Sequence, residues 1–202
     1  MSDLPTSQDE HVAFLNRLSD SKGFMGREFL TWLWYLAETN TDRIILQDPW
    51  EDRKLEVDLW VEDRLVLENA TSATMQESVL KGGDPSQSEE AAAALRTGKT
   101  VKEIKIGLNI LGVGEFTANL NCADLAPRSL KLPEPENNQE NSADIDETKT
   151  TQRMIFTDTF LSALDSLFAM YMKDRVDDDW KKNGHSKISE WIKSRQPSPT
   201  LH

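Results

Sequence analysis

Asp174, Asp177, Asp178 and Asp179 crowd one stretch of the chain. Carboxylates so spaced can hold a Mg²⁺ ion that clamps the attacking and leaving oxygens of a phosphodiester. Asp177-x-Asp179 lacks the glycine and distal glutamate of a calcium loop, and acidic runs more often mark a solvated helix end, so a nuclease is the remote expectation. The rest of the catalytic inventory is short. Cys122 is the only cysteine and shares the chain with His11, His185 and His202 alone, which excludes an internal disulfide framework and a Cys/His zinc site. No G-x-S-x-G, H-E-x-x-H or Walker A loop occurs. Gly112-x-Gly114 lacks the third glycine of a dinucleotide fingerprint and leads into an extended stretch, so no helix dipole would face a phosphate there. The expectation is a protein that is not an enzyme and needs no cofactor.

Charge is more informative. Thirty-five acidic residues against 23 basic ones leave a formal charge of −12, which argues against uniform coating of an anionic polymer or membrane. Any contact with nucleic acid must come from a local patch. Arg96, Lys99, Lys102 and Lys105 face only Glu103 between residues 96 and 106, a local +3. Cations so placed bind phosphate oxygens without reading bases; the plainer alternative is a solvated strand edge. A second basic stretch, Lys181, Lys182, Lys187, Lys193 and Arg195 against Glu190, lies beside the aspartates and can pair with them. Cys122 is expected to be a small packing residue.

These groups depend on the elements that carry them. Ser7-Gln8-Asp9-Glu10 has the capping-box form, so a helix is expected from Gln8, with Phe14, Leu15 and Leu18 as its stripe and Gly23 as its end. A second helix, Gly26 to Glu38, is apolar nearly all round through Phe29, Leu30, Trp32, Leu33, Trp34, Tyr35 and Leu36, the pattern of a core helix rather than of a base-stacking or dimer face. From Lys54 the period becomes two, which predicts a hairpin turning near Glu62-Asp63 and a third extended segment over Thr74 to Leu80. Ser86-Gln87-Ser88-Glu89 and the alanines after it predict a helix from Gln87 to Thr97, stopped by Gly98. Val101 to Leu111 is the strongest strand, with Glu115 to Asn121 returning after a glycine turn. Pro133 to Thr150 carries six acids and one large aliphatic residue, which predicts a disordered loop. Arg153 to about Lys173 repeats apolar residues at helical spacing, and Lys187 to Ser194 predicts a last short helix.

The order of these elements resembles the C-terminal part of the RdgC family, the recombination-associated nucleoid proteins. Phe29-Leu30-Thr31-Trp32-Leu33 is similar to that family's L-T-x-W block. Ser88-Glu89-Glu90, a short helix, Gly98-Lys99-Thr100-Val101-Lys102 and an amphipathic strand follow in the family's order. Leu130-Lys131-Leu132 before the acidic gap, then Phe160, Leu164, Leu167 and Phe168, resemble its ending; the likeness spans about residues 29 to 172. It implies sequence-independent DNA binding, a homodimer of the kind that closes a ring with a basic inner surface, and modulation of RecA. Lys99 falls on the family's glycine-lysine step and is the phosphate contact that the resemblance implies most directly. The family's next lysine falls on Glu103, and the basic residues before its S-E-E are replaced by Gly82, Gly83 and Asp84, leaving Lys81. The likeness covers the family's C-terminal part, so most of the N-terminal region that supplies one ring-closing interface is expected to lie outside it.

The expected fold is α+β: a mostly antiparallel sheet packed against the Trp-rich helix and the long C-terminal helix. One domain should span 1–180, with a disordered acidic loop at 133–150, followed by a basic helix and tail at 181–202. The expected function is non-specific DNA binding by Lys81, Arg96, Lys99, Lys102 and Lys105, in a cytoplasmic, nucleoid-associated homodimer with RecA as a partner. The alternative is a protein-interaction scaffold that has lost DNA binding. No metal site is expected, and no membrane partner, since no run approaches the ~18 apolar residues of a span and the N-terminus has no apolar leader.

Overall fold

The computed structural model describes residues 26–47, 52–69, 77–124, 126–134, 144–176, 190, 191 and 194. The expected first helix and its capping box lie outside them. The chain is α+β: among the described residues, a six-stranded antiparallel sheet with the three helices given below. The elements are α1 (Arg27–Thr39), β1 (Ile44–Gln47), β2 (Lys54–Glu68), β3 (Glu77–Lys81), α2 (Glu89–Arg96), β4 (Thr100–Ile110), β5 (Gly114–Asn121), β6 (Ser129–Lys131) and α3 (Asp144–Val176). The sheet runs β1-β2-β4-β5-β6, and β3 also pairs with β2. Among the described residues no helix is long and apolar enough to cross a membrane.

The alternation of β4 places Ile104, Ile106, Leu108 and Ile110 on the helix side of the sheet, each at most 1% exposed. Trp32 and Trp34 of α1 are equally buried, so the Trp-rich helix is core, as its all-round apolar pattern predicts. Rings join the layers: Phe29 of α1 meets Phe168 and Tyr171 of α3 at centroid distances of 5.2 and 5.4 Å, and Phe116 of β5 meets Phe160 at 5.6 Å. Ring pairs of this kind add to burial that is already worth about 2–3 kcal/mol for a large apolar side chain. Cys122 borders this core as a free thiol.

Three expectations change. The hairpin at Glu62-Asp63 is instead one continuous strand, β2, of 15 residues. Its pairing with β4 shifts register between Val61 and Leu65, so the interrupted alternation is a bulge. Among the described residues no non-glycine takes the positive φ that a tight two-residue turn there would need. Helix α2 begins later than expected: Pro85–Gln87 forms a 3₁₀ turn, and Ser88, not Ser86, is the cap, its Oγ accepting from Ala91 N at 3.1 Å. Gly98, at φ +81°, ends α2 as expected and lets Lys99 N reach Ala94 O at 3.1 Å.

The third change is in the acidic segment. Residues 144–150, expected to be disordered, are the first turns of α3, a helix of 33 residues. Asp144, Asp146 and Glu147 sit at its N-terminus, where the helix dipole favours negative charge. The hydroxyls of Thr151, Thr157 and Thr159 each donate to the carbonyl four residues back, so they are satisfied within the helix. Residues 135–143 lie outside the described residues. So does most of the expected last helix, though Glu190, Trp191 and Ser194 are helical, and Trp191 packs edge-on against Trp34 at 5.1 Å.

Candidate functional site

All three helices touch the sheet from one side or its margin, and the opposite face of β2, β4 and β5 carries its polar residues. Antiparallel register fixes which side chains meet there. Val66 pairs with Glu103, Arg64 with Lys81, Glu103 with Asn121, and Lys105 with Asn119.

Glu103 is the hub, at only 6% exposure. Its carboxylate accepts from Arg64 Nε at 2.5 Å, Asn119 Nδ2 at 3.0 Å, Asn121 Nδ2 at 3.3 Å and Arg128 Nη1 at 3.5 Å. Burial alone would raise its pKa, but the hydrogen bonds and the Arg64 charge outweigh burial and hold it below the ordinary 4.5. A second buried carboxylate, Glu68 at 2% exposure, is held below 4.5 first by the hydrogen bond from Arg27 and then by the charge of Lys102. Folded-state pKa values below the unfolded ones stabilise the protein above about pH 4.5, and that stability is lost as acid carries the pH down through the lowered values. Lys102 is shifted upward by its hydrogen bond to Glu77, so its contribution is complete below 10.5 and disappears only in stronger alkali. A circular-dichroism titration is therefore expected to show flat stability from neutral pH to about 5 and an acid transition below 4.5; a transition centred near pH 6 would contradict these assignments.

The two bulges place the cations. Glu62, Asp63 and Arg64 all lie opposite Lys105, and Asp63 Oδ1 accepts from Lys105 Nζ at 2.8 Å. Lys102 is the extra residue of the second bulge, between the partners of Val66 and Leu67, and its ammonium is engaged by Glu77 and the buried Glu68. The expected single cationic ridge is therefore divided. Lys102 is engaged by two carboxylates at once, Glu77 and the buried Glu68 that Arg27 also pairs, so its ammonium is already neutralised within the fold. Lys99 donates to Ser78 Oγ at 2.8 Å; Ser78 pairs with Leu67 and so points to the helix side, away from Lys81 and Lys105. The Arg96 backbone closes α2, and its side chain lies outside the described residues.

Lys81 and Lys105 do meet. With Arg64 they line an open cleft of about 340 Å³ whose other walls are Asp63, Gly82, Asn119 and Ser129. Gly82, at φ +75°, turns the chain away after Lys81 and donates its N–H to Asp63 O at 3.0 Å. The Lys105–Asp63 pair is exposed on both sides, 33% and 57%, so solvent screens it and an incoming anion can take the place of Asp63. Lys81 has no charged partner among the described residues. Arg64 gives Nε to Glu103 and keeps guanidinium donors for a second acceptor.

Sequence reasoning missed Arg64, Asn119 and Ser129 because the cleft forms only when β2, β3, β4, β5 and β6 come together. The one local trace is an arginine just before the apolar run Leu65, Val66, Leu67. Among the described residues no three His, Cys, Asp or Glu side chains are grouped to hold a metal. Asp174 belongs to α3, and Asp177, Asp178 and Asp179 lie outside the described residues, as do Lys181, Lys182, Lys187, Lys193 and Arg195. Comparison of the chain with protein-family models, curated proteins and solved structures found no match.

Proposed function

We propose that the chain binds the sugar-phosphate backbone of DNA without reading sequence, through the cleft of Arg64, Lys81 and Lys105. The observation that carries this is the convergence of three cations on one open cleft, in a molecule whose overall charge is −12. With Asp63 at the rim and Glu103 beneath, the cleft keeps a formal +1. That suffices for weak electrostatic docking, and the acidic remainder of the surface disfavours indiscriminate adhesion. Resemblance to the RdgC family supports the same reading. It extends the proposal to a homodimer in the cytoplasm, associated with the nucleoid and acting on recombination with RecA as a partner. No covalent step is part of the proposal.

Two or three displaced counterions give a slope of log affinity against log salt of about −2 to −3 on duplex DNA. Fluorescence anisotropy of a labelled duplex across a salt series measures it, and a flat response at detectable affinity removes the phosphate reading. A second reading, the protein-interaction scaffold, is favoured by one observation: Arg27, Arg43, Arg64, Lys102, Lys105 and Arg128 are all ion-paired within the chain. A folded protein that binds neither duplex nor single strand at low salt would remove the DNA reading and leave the scaffold, to be checked by capture of a protein partner.

A further inference from the structure

We infer that Trp60 is a stacking platform for an unpaired nucleobase, so that the open sheet face takes single-stranded nucleic acid in preference to duplex. The inference rests on the phosphate cleft proposed above and adds the identity of the strand.

Trp60 stands on β2 directly opposite Gly107 of β4. A Cβ placed on Gly107 would lie 2.0, 2.2 and 2.3 Å from Cε2, Nε1 and Cζ2 of the indole. The ring therefore lies across the β4 backbone in the space that the missing side chain leaves. Its N–H donates to Glu62 Oε1 at 2.7 Å, which fixes the ring and satisfies its one polar atom. The other described tryptophans behave differently: Trp32, Trp34 and Trp191 are buried among helices and other rings. Trp60 is half-buried on the face opposite the helices, and it meets no other ring among the described residues.

Covering a cross-strand glycine is one use for such a ring and needs only its inner side. The rest of the ring stays partly exposed, on a face that also carries the exposed Ile45 and Val79 and, flanking Trp60 on β2, the carboxylates of Asp58 and Glu62; the cations one step further on indicate the occupant. Lys105 is two residues from Gly107 on the same face of β4, one side-chain step of about 6.6 Å away. Beyond it is the Arg64, Lys81 and Lys105 cleft. A flat apolar ring one step from an open cationic cleft complements a base joined to its own backbone phosphate. Bases in a duplex are stacked on one another and cannot reach the indole, whereas an unpaired base can, and stacking of this kind tolerates any base.

The test is anisotropy at low salt with the full chain and three labelled probes: a single-stranded oligothymidine, an abasic strand of the same length, and a duplex. The wild-type chain is expected to bind the base-bearing strand about tenfold tighter than the abasic one. Trp60→Leu, which keeps Gly107 covered but has no π-face, should erase that advantage, and Trp60→Phe should restore most of it. The inference is overturned if Trp60→Leu leaves the base-bearing strand unaffected or weakens both strands equally, or if the duplex binds as tightly as the single strand. In those cases the phosphate reading stands. Failure of all three probes to bind overturns both.

Discussion

Replacing Glu103 with alanine is expected to lower the free energy of unfolding by about 3 kcal/mol, the low end of the range for removing one partner of a buried ionic cluster. Four donors from β2, β5 and the β5–β6 connection converge on this carboxylate, and without it the amides of Asn119 and Asn121 each lose an acceptor. The low end applies because the Arg64 and Arg128 side chains are 32% and 50% exposed and can be rehydrated. Urea unfolding should show a lower midpoint with an unchanged slope. Glu103→Gln, which keeps the shape and one acceptor, should cost about half as much, on the order of 1–2 kcal/mol. It should also tighten binding at the cleft, because it removes a negative charge from beneath Arg64. A change below about 0.5 kcal/mol for Glu103→Ala would mean that the hub is ornamental.

Reversing Lys81 and Lys105 together to glutamate is expected to weaken DNA binding by about 30- to 100-fold at low salt and to flatten the salt dependence by about two counterions. The double change turns the cleft from weakly positive to strongly negative, and it sets a second carboxylate against Asp63 where an ammonium had been. Lys99→Glu is the informative control. The Lys99 ammonium rests on Ser78 at the helix side of β3, so its reversal should change affinity by less than about twofold. An equal loss from Lys99→Glu would move the phosphate contacts to that side and restore the residue that the family resemblance ranks first.

The contrast between Lys99 and Lys105 shows what the amino-acid order could convey. Both are lysines in one basic stretch, and their spacing cannot reveal that a bulge at Lys102 intervenes. A bulge is decided by which partner strand lies alongside, and that partner is tens of residues away. The same holds for Glu62 to Arg64: three residues off the alternation suit a turn as well as a bulge, and pairing with β4 settles it. Local patterns that need no distant partner were legible. The all-round apolar Trp helix, the β4 alternation, the glycine turn at Gly112 to Gly114 and the stop at Gly98 all follow from short-range chemistry. The start of α3 was illegible for another reason. Composition counts Asp144, Asp146 and Glu147 against folding, whereas their position at a helix N-terminus makes the same charges favourable.

The long strand β2 has two neighbours end to end on one flank. On that flank β1 pairs with Lys54 to Val57 and β3 with Arg64 to Glu68, so that Asp58 to Asp63, paired with β4 on the other side, have no described strand beside them there. That free margin is recessed between two short strands, so a foreign chain trying to zip along it would collide at both ends within a few residues. That stretch of β2 can thus stay without a described neighbour and still offer no template for edge-to-edge pairing.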